Sequence, residues 1–73
     1  MSEKEKIEML EELFEVEEGT LKAETKLEDV PEFDSMTRLS LIVMMEDEFG
    51  VKLESETIKK FVTVNDILNL MNK

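Results

Sequence analysis

The chain has 73 residues, enough for one domain (1–73) built around a small core. Nineteen acidic residues against nine basic ones give a net charge of −10, which argues against nucleic acid and anionic membranes and favours basic protein surfaces as partners. His, Cys, Tyr and Trp are all absent, so the usual general base, the usual thiol nucleophile and Cys/His zinc sites are missing, and the expectation is a protein that is not an enzyme.

Hydrophobic residues make up 41% of the chain, which suits a folded globule rather than a disordered segment. Met1 is followed by Ser-Glu-Lys-Glu-Lys, so no secretory signal is expected. The longest unbroken apolar run, Leu41 to Met45, is far too short for a membrane span. A cytoplasmic protein without stable membrane insertion is the expectation.

In chain order, 3–16 reads as a helix. Ile7, Leu10, Leu13 and Phe14 recur at helical spacing, Ser2 and Glu5 form a capping box, and Gly19 suits the helix end. Residues 20–34 form a long connection in which Pro31 disfavours helix at Val30. Leu27 and Phe33 are expected to pin it to the core, with a short helical turn around 21–24. A second helix runs over 35–49, capped by Asp34 or Ser35 and ended by Gly50. Its apolar arc is wide: Leu41, Met45 and Phe49 make one stripe, and Leu39 with Val43 make another. A short third helix covers 55–61, pointing Ile58 and Phe61 inward. A fourth covers 63–72, with Thr63 and Asp66 as a capping box and Val62 stapled onto Ile67. The fold expected is an all-α small four-helix bundle with three longer helices, one short helix and a long first loop.

Ser35 is the residue of interest. A free serine is a weak nucleophile without a base, and no histidine exists to serve. It is suited instead to being modified by another enzyme, because a helix N-terminus favours a phosphate. The acidic run Glu46-Asp47-Glu48 lacks the spacing of a calcium loop and reads as a solvated face, as do Glu11-Glu12 and Glu17-Glu18. No metal site is expected. Met36, Met44 and Met45 share one helix. Met45 suits the core, while Met36 with Leu39 and Val43 suits partner contact.

With Asp34-Ser35-Met36 opening the second helix and Glu46-Asp47-Glu48-Phe49-Gly50 closing it, the chain resembles the acyl carrier protein family along nearly its whole length. Leu41, Met45, Phe49, Leu53, Phe61 and Val64 fall where the family keeps apolar core residues. The resemblance implies a 4'-phosphopantetheine arm, derived from coenzyme A and attached to Ser35 by a phosphopantetheinyl transferase, with Asp34 aiding recognition. The arm's thiol then carries acyl groups as thioesters to acyl-loading and acyl-processing enzymes of fatty-acid or related biosynthesis. The second helix becomes the recognition surface, with Met36, Leu39, Val43, Glu46 and Glu48 as its docking face, on a monomer. The chain departs from the family pattern at Phe33, where glycine is common, at Thr37 and Ser40, where acids are common, and at Arg38, which adds a positive charge. Phe33 followed by Asp34-Ser35-Met36 resembles carriers of specialised pathways, polyketide-like or D-alanyl/aminoacyl. An alternative of another class is a small helical interaction module with no prosthetic group.

Overall fold

A computed structural model describes residues 1–71 of the chain. Four α-helices follow one another: α1 (Glu3–Phe14), α2 (Ser35–Phe49), α3 (Ser55–Lys59) and α4 (Val64–Leu68), with a 3₁₀ turn at Leu27–Asp29 in the long connection after α1. The all-α bundle expected from the sequence is present. Its helices are more unequal than expected, with α3 and α4 each only five residues long.

Apolar periodicity builds the core. Leu10 and Phe14 of α1, Leu41, Met45 and Phe49 of α2, Ile58 of α3, and Val64, Ile67 and Leu68 of α4 are all buried. Ile7, Met9 and Leu13 pack against this cluster from its edge, as do Ile42 and Phe61. Met45 is fully buried, as its place in the apolar stripe demands.

The start of α1 follows the expected capping box: the Ser2 hydroxyl accepts the Glu5 N–H and the Glu5 carboxylate accepts the Ser2 N–H. Its end lies elsewhere. The helix stops at Phe14, not Val16, and the residue in the left-handed conformation is Glu15 (φ 59°), not Gly19. The Val16 N–H reaches the Glu11 carbonyl and the Glu15 N–H reaches the Glu12 carbonyl, the paired bonds of a Schellman ending. Gly19 has φ 90° and serves the next turn instead.

The long connection is pinned more firmly than two side chains would manage. Leu21, Leu27, Val30 and Phe33 are all buried. A 3₁₀ helical turn falls at Leu27–Asp29, while around residues 21–24 the chain makes a single turn closed by the Thr25 N–H on the Lys22 carbonyl. The backbone also zips onto the segment entering α4: the Leu27 N–H donates to Val62 O, the Val64 N–H to Thr25 O and the Asn65 N–H to Ala23 O, each at 2.9 Å. The last two satisfy N–H groups of the α4 N-terminus that have no partner inside the helix.

At the same terminus the Asp66 carboxylate accepts the N–H groups of Val62 and Thr63, so this half of the expected capping box is formed. Val62 stays largely exposed, so the staple onto Ile67 is not closed. The α4 helix ends at Leu68 because the chain tightens: Leu70 N–H bonds Ile67 O and Met71 N–H bonds Leu68 O, three residues back rather than four. Asn72, the expected helix end, lies outside the described residues. No described helix is long and apolar enough to cross a membrane.

Candidate functional site

Asp34 sits in an extended conformation just before α2, and its Oδ1 accepts the Thr37 N–H at 2.9 Å. It is therefore the N-cap, and Ser35 is the first helical residue. The Thr37 N–H bond, outweighing partial desolvation, holds the Asp34 carboxyl below the ordinary Asp value of 3.8. The cap thus places a charged carboxylate immediately before an exposed serine. Ser35 is not needed for capping, so helix stability gives no reason for a hydroxyl there.

The position of Ser35 is fixed from behind by Phe33. That ring is buried and packs against Phe14 at 5.2 Å between centroids, tying the start of α2 to the end of α1. Arg38, one turn into α2, lays its guanidinium 5.2 Å from the centroid of the Phe33 ring. Nothing in the sequence pairs these two residues beyond their spacing.

Two depressions flank the serine. One, of about 320 Å³, lies between α2 and α3 and is lined by Ser35, Arg38, Leu39, Ile42, Ile58 and Lys59. The other, of about 540 Å³, lies between α1 and α2, with Met36, Met44, Met9 and Leu13 as its apolar lining and Glu12 and Glu15 at its edge.

The outward face of α2 is as apolar as its wide arc suggested. Met36 is 79% exposed, Leu39 64% and Val43 54%, values high for large apolar side chains on one helix. Glu46 and Glu48 are exposed beyond them, toward the C-terminal end. At helical spacing Met36, Leu39, Val43 and Glu46 share one stripe. Glu48 lies round the helix from Met36, on the edge of a shallow groove that also takes in Leu39 and Val43.

One residue departs from its expected role. Glu11 is 3% exposed, not solvated. Its Oε2 accepts the N–H groups of Gly19 (2.8 Å) and Leu21 (2.9 Å), holding the beginning of the long connection against α1. The signal was available on the helical wheel. At about 100° per residue, Glu11 falls about 40° beyond Ile7 and about 60° from Phe14, bordering the apolar arc on its Ile7 side. Among the described residues no group of acidic side chains is arranged to hold a metal ion.

The structure is thus a small helical bundle that presents an exposed serine, not used for capping, at the start of its longest described helix. Residues 7–71 match the family model described as the phosphopantetheine attachment site. The chain is 36% identical over 58 residues to an acyl carrier protein of Thermotoga maritima, covering 80% of this chain and 72% of that one. It is 29% identical over 66 residues to one from Phytoplasma mali (90% and 79%), and 41% identical over 39 residues to one from Thermosynechococcus vestitus (53% and 48%). No solved structure gives a significant match. The chain belongs to the phosphopantetheine-binding, acyl carrier family, whose members carry a covalent prosthetic arm and are not enzymes.

Proposed function

We propose that the chain carries acyl groups as thioesters on a 4'-phosphopantetheine arm joined to the Oγ of Ser35. The observation that carries this is the division of roles at the start of α2: Asp34 caps the helix, leaving Ser35 exposed with its hydroxyl uncommitted. The surroundings suit the group. A phosphodiester at the first helical position faces N–H groups without intrahelical partners and the positive end of a fifteen-residue helix. The arm supplies a thiol, which the chain itself lacks.

Asp34 is the residue through which a phosphopantetheinyl transferase recognises the site, and Met36, Leu39, Val43, Glu46 and Glu48 form the surface that meets acyl-loading and acyl-processing enzymes. The acids support this reading because the fold does not require them. Glu46, Asp47 and Glu48 crowd the C-terminal end of α2, where the helix dipole disfavours negative charge and where no basic residue occurs in the last turn. The protein works as a cytoplasmic monomer in fatty-acid or related biosynthesis. Arg38, Thr37 and Ser40 weaken the acidity near the serine and favour partners dedicated to one pathway.

The test is to treat the protein with coenzyme A, magnesium and a broad-specificity transferase, then map the peptides. The added mass is expected on the peptide containing Ser35. Its appearance on any other hydroxyl would overturn the assignment.

A further inference from the structure

The two depressions beside Ser35 carry opposite charge. The one between α1 and α2 is edged by Glu12 and Glu15, whereas the one between α2 and α3 is edged by Arg38 and Lys59. In a chain with nine cations against nineteen acids, two cations on one small cleft beside the serine is a local reversal. We propose that Arg38, braced on the Phe33 ring and assisted by Lys59 across the cleft, holds the phosphodiester of the arm on Ser35 and so directs the arm away from the α1 side.

Several features support this role. Residues three apart on a helix have neighbouring side chains, so a phosphate on Ser35 lies within reach of the Arg38 guanidinium. The guanidinium fork matches phosphate oxygens two at a time, which a lysine in its place would not. The Phe33 ring holds the group in position before any anion arrives, so less side-chain freedom is lost on pairing. Arg38 is thus a positioning residue for the arm. It touches neither the thiol nor the cargo.

This inference rests on Ser35 being the attachment site, and the experiment separates the two. Arg38 is the only arginine in the chain, so its Nε–Hε group gives a single, self-assigned NMR cross-peak. Intact mass first establishes loading. In the loaded protein the Arg38 cross-peak is expected to move from its unloaded position, and to return at about 1 M salt, where the Debye length is about 3 Å. The 31P line of the phosphodiester should narrow in Arg38→Gln, and further in Arg38→Gln/Lys59→Gln, as the arm gains mobility. Complete loading with an unmoved cross-peak and an unchanged 31P line in both variants would overturn the positioning role alone. Failure to load with transferases of both broad and matched specificity would overturn the attachment site and this role with it.

Discussion

Ser35 and Asp34 are adjacent, yet their substitutions should act on different properties. Because Asp34 makes the capping bond, Ser35→Ala removes no structural contact, and alanine is the better helix former by up to about 0.5 kcal/mol. Urea denaturation should show Ser35→Ala as stable as the parent or slightly more so. Asp34→Ala should destabilise, and in a pH-dependent way. The Asp34 carboxyl is held below its ordinary value in the folded chain by the Thr37 N–H. Between the folded and unfolded pKa values the unfolded state therefore binds more protons. The stabilisation is complete above the ordinary Asp value of 3.8 and is lost as pH falls through the lower folded value. The gap between parent and Asp34→Ala should close on acidification, and a gap constant with pH would contradict the cap. Glu11 makes a third residue-scale case. Glu11→Ala strands the buried Leu21 N–H and the part-buried Gly19 N–H and should cost roughly 1–3 kcal/mol in urea, whereas Glu11→Gln keeps an acceptor oxygen there and should cost less than half as much.

Element boundaries were legible wherever a side chain or a glycine set them. The span of α2 follows from Asp34 at one end and Gly50, at φ 66°, at the other. The start of α1 follows from Ser2 and Glu5. The end of α1 was not legible, because the left-handed position is held by glutamate, a residue with no preference for it. Glu15→Gly should therefore raise stability by roughly 0.5–1 kcal/mol, read from the urea midpoint. The end of α4 was obscured in another way: its apolar spacing continues to Met71, but the bonding changes from α to 3₁₀ after Leu68. On α2, Glu48→Gln should move two properties in opposite directions. Relief at the negative end of the dipole stabilises by roughly 0.3–1 kcal/mol at low ionic strength, while affinity for a basic partner falls. Loss of both stability and affinity would mean that Glu48 supports the fold rather than docking.

For the whole molecule, the net charge of −10 matters less than its placement. The longest dimension is 27 Å, well beyond the Debye length of about 8 Å at physiological salt, so a partner at α2 feels mainly the charges near it. Affinity should fall with ionic strength if Glu46 and Glu48 lead the contact, and should be insensitive to salt if Met36, Leu39 and Val43 lead it. The serine, its cap and the exposed face of α2 were readable from the order of residues along one helix. The two depressions were not, because each is made where α2 packs against another helix, and the brace of Arg38 on Phe33 depends on how the long connection enters α2.

The central claim, that the molecule exists to carry a prosthetic arm on one serine, is tested most directly by intact mass. Parent protein and Ser35→Ala are incubated side by side with coenzyme A, magnesium and a phosphopantetheinyl transferase. A gain of one phosphopantetheine by the parent alone is the predicted result. An equal gain by folded Ser35→Ala, or none by the parent with transferases of both broad and matched specificity, would contradict it.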